Sequence, residues 1–246
     1  MRMKKKPLFF RILWHTVRFF YGKRKFVGLD NIPQEPCIII GNHAQLHGPL
    51  TCEVCFPAPK KIWCIGQMMR IKEVPAYAYQ DFWSYKPKWT KWWYKWLSYM
   101  MAPLCAYIFK NADTIAVYKD TRGLSTFKKS VKALEEGKHV IIFPESGIEY
   151  NEIVNEFQDK FVDVARLYYK RHKKSVSFVP MYNAPALKTV VFGKPILFDP
   201  AQSAEEQREQ ICEHLKTEIT ALAKELPRHR VTPYANVKKK KYPYSK

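Results

Sequence analysis

Apolar residues in this chain fall into two kinds of run. Short unbroken ones, clearest at residues 37–40 (Cys-Ile-Ile-Ile) and 139–143 (His-Val-Ile-Ile-Phe), have the length and composition of strands buried on both faces. Weaker runs at 25–28, 61–65, 114–118 and 177–181 read the same way. Between them the spacing is helical. Leu124, Phe127, Val131 and Leu134 predict a helix over 124–136 that stops at Gly137, and Phe157, Phe161, Val164, Ala165 and Tyr168 predict another over 157–169. Pro49 suits the first turn of a short helix through Cys55. A Trp-rich helical stretch is predicted over 89–109, interrupted at Pro103, and a last helix over 204–226. Strands alternating with helices predict an α/β fold with a mostly parallel central sheet flanked by helices. The segments 188–192 and 195–198 are expected to be antiparallel or edge strands, because Gly193 and Pro195 break them.

The pattern changes at the N-terminus. Over 7–21, Leu8, Ile12, Leu13, Val17 and Phe20 share a helical stripe, with Arg11 and Arg18 on another flank. Such a basic amphipathic helix lies in a membrane interface or packs against the domain. Arg11 breaks the apolar run too early for a signal peptide, so secretion is not expected. Residues 88–96 interleave Trp with Lys, a combination suited to lipid headgroups or to a partly buried helix with snorkelling lysines. The longest weakly polar stretch, 96–109, is shorter than the roughly 20 residues of a spanning helix.

The net charge of +20 at pH 7 sharpens this picture, since residues 1–29 hold nine Lys or Arg and no acid, and 238–241 are four lysines. An anionic membrane surface is the expected partner. Nucleic acid is not expected, for no helix-turn-helix, zinc or RNA-sheet motif accompanies the charge. The division expected is a basic amphipathic membrane-interface helix over 1–24, one main domain over 25–227 and a basic tail over 228–246. The six cysteines sit mainly in apolar or helical contexts and read as buried reduced thiols. Cys52 and Cys55 form one CxxC, but no second pair accompanies it, so no metal site is expected.

Candidate chemistry lies where two of the buried strands run out. Asn42-His43-Ala-Gln-Leu-His47-Gly48-Pro49 follows the first, and Phe143-Pro144-Glu145-Ser146-Gly147 ends the second about a hundred residues later. Ligands of open α/β sheets bind at such strand ends. A histidine there is suited to take a proton near neutral pH.

These blocks resemble the glycerolipid acyltransferases that include the bacterial 1-acylglycerol-3-phosphate acyltransferases, over roughly residues 25–225. Asn42, His43 and Pro49 match the family's Asn-His-x4-Asp-x-type block. Phe143, Pro144, Glu145, Ser146 and Gly147 are similar to its Phe-Pro-Glu-Gly block, 114–119 to its strand ending in arginine, and Phe178-Val179-Pro180 to its apolar Val-Pro strand. Residues 192–196, Phe-Gly-Lys-Pro-Ile, resemble its later Gly-Lys-Pro segment. The resemblance implies direct acyl transfer from acyl-CoA or acyl-carrier protein to a lysophospholipid hydroxyl, lysophosphatidate by default, at the cytoplasmic face of a membrane. It implies His43 as base and neither metal nor cofactor. Lys119, with Arg122 nearby, would hold the acceptor phosphate. Asn42, Phe143, Pro144, Ser146, Gly147, Val179 and Pro180 would line the substrate, and Glu145 would support acceptor binding and shape its turn.

Two departures matter. Lys119 stands for the arginine, and the Thr-Arg that follows the Phe-Pro-Glu-Gly block is absent, so the acceptor is open. More consequentially, Gly48 stands where the orienting aspartate belongs. Glu53 would lie about 140° round the helix from that position and is a poor substitute. His47, Glu145, Glu149 or a backbone carbonyl would each preserve a usable tautomer of His43. With none of them, the chain would be a non-catalytic lipid- or acyl-binding relative.

Overall fold

The apolar runs become strands in the computed structural model, which describes residues 6–84, 86–118 and 120–246. The chain packs as two units, neither a single run of sequence: residues up to 21 with 63–126, and 22–62 with 127–246.

The second unit contains most of the sheet. Its strands are β1 (Lys25–Val27), β2 (Ile38–Gly41), β3 (Lys60–Ile65, whose last three residues belong to the first unit), β5 (His139–Ile142), β8 (Ser177–Ala184), β9 (Thr189–Phe192) and β10 (Ile196–Leu197). They run in the order β1-β9-β8-β2-β5-β3, and the path ends at β4 (Thr114–Val117). Pairing of β2 with both β5 and β8, of β3 with β5 and of β1 with β9 is parallel. The residues of β2 and β5 are buried throughout, as expected of unbroken Ile and Val runs in the middle of a covered sheet. Cys37, Ile39, Ile62, Ile141, Val179, Met181 and Phe192 pack as the core, closed by Cys52 and Phe56 from the α2 (His47–Val54) side. Helices α6 (Asp163–His172) and α7 (Ala204–Glu225) complete the unit. The second of these starts at Ser203, whose side chain and that of Glu206 form a reciprocal capping box.

One expectation is corrected here. Residues 157–162 are not α-helical: Phe157 ends β7 (Asn155–Phe157), which pairs with β6 (Glu145–Glu149) in a separate two-stranded sheet, and a 3-10 helix over Asp159–Val162 leads into α6. Phe157 and Phe161 are both buried, so their spacing of four reported burial and not helix. Strand β9 pairs antiparallel with β8, as expected of this segment, and β1 lies along its other side in parallel. Within 228–246, His229, Val231 and Ser245 are buried.

In the first unit, α1 (Leu8–Tyr21) lies with α3 (Val74–Ala78), α4 (Lys91–Asn111) and β4, and α5 (Gly123–Glu135) leads out of it. Helix α4 continues through Pro103, which together with Tyr99 is exposed; the carbonyl that loses its N–H partner there can turn to water. Helix α1 is divided three ways. Phe10 is buried and Phe9 meets the ring of Tyr107 at 5.6 Å, while Leu8, Ile12, Phe19 and Phe20 stay open, both phenylalanines 81% exposed. On α4, Ser98, Ala102 and Ala106 face inward, and Trp92, Trp93, Trp96, Tyr99 and Met100 face out. Among the described residues no helix is long and apolar enough to cross a membrane.

Candidate active site

Register brings the two strand-end motifs together. Ile40 pairs with Ile142 in parallel, so the residues three positions beyond each, His43 and Glu145, leave the sheet side by side. The backbone N–H of His43 donates to Oε2 of Glu145 at 2.5 Å, and that of Asn155 donates to Oε1 at 3.0 Å. Both carboxylate oxygens are thus held by main-chain amides. Glu145 is 3% exposed, and burial pushes its carboxyl up to about 7 against the lowering effect of those two bonds.

On its other side β2 is tied to β8. Gly41 pairs with Met181, and just beyond, the Asn42 side chain donates to the Asn183 carbonyl at 3.0 Å and accepts from the Asn183 N–H at 2.7 Å. Asn42 acts here as a clamp between two strand ends, fully occupied by main chain. Two amides and one carboxylate therefore fix where the His43 backbone begins its turn.

The turn itself is unusual. Ala44 and Gln45 both have left-handed backbones, with φ of 45° and 54°, a conformation that costs an L-residue roughly 1–2 kcal/mol. Its consequence is that the Gln45 carbonyl folds back onto Nδ1 of His43. A carbonyl can only accept, so Nδ1 carries the proton and the lone pair is left at Nε2. Among the described residues nothing bonds Nε2. Phe143 and Tyr234 stand edge-on to the imidazole, with centroids at 5.5 and 5.7 Å. Burial lowers the His43 pKa below its usual 6.5 although carbonyl contacts oppose it, and the ring is therefore neutral at pH 7.

The aspartate expected at position 48 from the resemblance is excluded by space. Gly48 lies in the first turn of α2, where an added Cβ would stand 2.7 Å from the His43 carbonyl oxygen and 2.8 Å from both the Asn42 carbonyl and the Phe143 ring. Two of those three neighbours are backbone, so no side chain fits. Of the substitutes expected from the sequence, the backbone carbonyl occupies Nδ1, and Glu145 holds the histidine by its main chain. His47 sits at the start of α2 with its N–H on the Ala44 carbonyl. Its pKa is lowered by burial first, then by the charges of Arg24 and Lys239. Glu149 is exposed on β6.

The remaining predicted residues divide. Phe143 touches the histidine ring, and Pro144 supplies its carbonyl to the Gln158 N–H at 2.9 Å. Ser146 accepts from Ile148 N–H through its hydroxyl, at 3.3 Å, and from the Asn155 side chain through its carbonyl. Gly147 has open space around it. Val179 and Pro180 are buried in β8 beside Ile39 and Ile40, beneath the turn. Lys119 lies outside the described residues. Arg122, in the first unit, is engaged: its guanidinium forks onto Asp120, reaches Glu73 at 3.1 Å and lies 3.9 Å over the Tyr118 ring. That pairing holds Asp120 down to about 2 and raises Arg122.

Sequence reasoning did not single out Gln45, Tyr234 or Tyr242. The Gln45 side chain donates to the Ala235 carbonyl and accepts from the Tyr242 hydroxyl, each at 3.1 Å. No spacing rule connects position 45 with positions 234–242. The cysteines fall outside the site: Cys37, Cys52 and Cys212 are buried, and burial pushes those thiols and that of Cys64 up to about 12.

No family defined by sequence matches this chain, and no curated protein matches it. Among solved structures it is similar to the 1-acyl-sn-glycerophosphate (LPA) acyltransferase PlsC of Thermotoga maritima, with a TM-score of 0.51 and 15% sequence identity, over 87% of this chain and 80% of that one. The α/β architecture, with its mostly parallel sheet and flanking helices, is thus the fold of that acyltransferase.

Proposed function

We propose that this protein is a peripheral membrane O-acyltransferase that moves a fatty acyl group from acyl-CoA or acyl-carrier protein to a lysophospholipid hydroxyl, with His43 as general base. The observation that carries the reading is the orientation of one ring: Nδ1 is tied to a carbonyl, Nε2 keeps its lone pair, and the imidazole is neutral at physiological pH. In the reaction, Nε2 takes the proton of the acceptor hydroxyl as its oxygen bonds the acyl carbonyl carbon. The carbon–sulfur bond then breaks, and the departing thiolate takes the proton back from Nε2. The Gln45 carbonyl faces the imidazolium that forms between these steps and stabilises its positive charge. Glu145 and Asn42 are positioning residues in this scheme, since each is spent on main-chain groups that place the turn.

Membrane association rests on the first unit. Exposed Trp, Phe and Met side chains on α1 and α4 lie beside Arg11, Arg18, Lys91 and Lys95, the mixture that settles at headgroup depth. The acceptor fits the same setting, because a lysolipid is delivered from the bilayer. Lysophosphatidate is the default headgroup, with Lys119 as its cation; Arg122 is already neutralised by Asp120 and Glu73.

The test is to incubate purified protein with labelled acyl-CoA and acyl-carrier protein against a panel of lysolipids on vesicles, alongside His43→Ala. Acylated product from the wild type that vanishes in the variant supports the reading. Vesicle and lysolipid binding without product from either protein would overturn it in favour of a non-catalytic lipid-binding role.

A further inference from the structure

Building on the reading of His43 as the base, we infer that Gln45, through its carbonyl, is its positioning residue and that the segment 229–246 locks Gln45 in place, so that a distant stretch of chain holds the orienting contact that position 48 cannot supply.

The segment is anchored where it starts and where it ends. His229 is buried, with Nε2 2.9 Å from the Tyr182 hydroxyl on β8, and Ser245 N–H returns to the His229 carbonyl at 3.0 Å. Val231 N–H donates to the Pro243 carbonyl at 2.9 Å, beside a bridge between Arg230 and Tyr244. The loop so closed extends to the His43 turn. It places the Ala235 carbonyl on one end of the Gln45 amide, the Tyr242 hydroxyl on the other, and the Tyr234 ring edge-on to the imidazole. The lysines 238–241 occupy the stretch between these two contacts. A basic tail that served charge alone would need none of these contacts.

The clamp matters because the turn it holds is strained. Two successive non-glycine residues in the left-handed region revert toward ordinary backbone unless the surroundings prevent it, and reversion would swing the Gln45 carbonyl off Nδ1. The imidazole would then carry its proton on either nitrogen, and only one of those forms presents a lone pair at Nε2.

Position 45 gives a test that separates orientation from packing. In Gln45→Ala the strain stays while the clamp goes, so kcat is expected to fall about 10- to 100-fold with KM within about twofold. Glycine adopts the same backbone without strain, so Gln45→Gly should recover part of that loss although it removes still more side chain. Tyr242→Phe, lacking one hydroxyl, should fall in the same direction. Tyr244→Phe, which loses only a contact from Arg230, should match the wild type. Nitrogen NMR of the full chain labelled in histidine reads the ring directly: Nδ1–H in the wild type, mixed tautomers in Gln45→Ala and Tyr242→Phe. A wild-type ring protonated at Nε2, or a Gln45→Gly no better than Gln45→Ala with the tautomer unmoved in both, overturns the inference. Should the wild type make no product while its ring is Nδ1–H and mixes in the variants, the positioning stands and the acyl-transfer reading alone falls.

Discussion

Aromatic side chains surround the histidine of the second unit and cover the outer helices of the first, to opposite ends. Phe143 and Tyr234 meet the imidazole edge-on within a network in which Glu145, Asn42 and Gln45 spend their polar atoms on main chain. Trp93 and Trp96 stack on each other at 5.1 Å and Trp92 abuts Trp93 at 5.8 Å, yet all three remain open to solvent. In the first case apolar surface removes water from a titratable group and sets its protonation. In the second the same residue types are left exposed, which a soluble surface tolerates singly but seldom as a contiguous patch. One region holds a geometry and the other leaves apolar side chains open, so on the proposed reading substitutions in the two should separate cleanly into turnover and binding.

The largest effect should come from His43→Ala, lowering turnover about 1,000-fold as expected for loss of a general base, with vesicle binding unchanged in a sedimentation assay. The limb of wild-type kcat/KM that reports His43 should lie below the usual imidazole value of 6.5, because burial lowers the His43 pKa and the base form survives acidification. A limb near pH 7 that disappears in Glu145→Gln would belong to the carboxyl that holds the turn, whereas one that persists in that variant would break the contrast.

Next in size is the buried carboxyl. Glu145 ionises near 7 in the fold against 4.5 as an isolated side chain. The folded state therefore binds more protons between those values, and its contribution to stability, complete below pH 4.5, is lost as pH rises through 7. The loss is about 3 kcal/mol. Urea unfolding across pH 4 to 8 should show this slope in the wild type and not in Glu145→Gln.

Gly48→Asp, which restores the motif on paper, should cost about 1–3 kcal/mol of stability by overpacking and give no gain in turnover. A faster enzyme would show that the turn accommodates a carboxylate after all. Smallest are the surface changes. Trp92→Ser, or Phe19→Ser with Phe20→Ser, should weaken binding to anionic vesicles about five- to tenfold by removing apolar burial, without altering turnover of a water-soluble short-chain acceptor. Point changes suit α1 better than deletion, because Phe10 is buried and Lys6 bonds the Asn111 carbonyl at 2.6 Å.

Much of the scaffold was legible because burial on both faces leaves a local mark. The Ile-rich run of β2 and the His-Val-Ile-Ile run of β5 are short, unbroken and bounded by turn residues, and they specify two parallel strands whose ends carry His43 and Glu145. The spacing of Leu124, Phe127, Val131 and Leu134 gave α5 to within a residue. The failure at 157–162 has the same origin, for apolar spacing records which residues are buried, and a strand followed by a 3-10 turn buries Phe157 and Phe161 as well as a helix would.

What the sequence determined by itself was the order of buried strands and helices, the histidine and glutamate at two strand ends, and the absence of a carboxylate at position 48, all written in residues near one another in the chain. Only the tertiary structure shows which group meets Nδ1 of His43 instead. The Gln45 carbonyl has no side-chain identity to read, the Gln45 side chain bonds partners some 190 residues away, and the space forbidden to a side chain at 48 is bounded by backbone atoms and a ring from another strand end. Such contacts arise from the closing of the fold, where long-range packing overrides what a local stretch would choose.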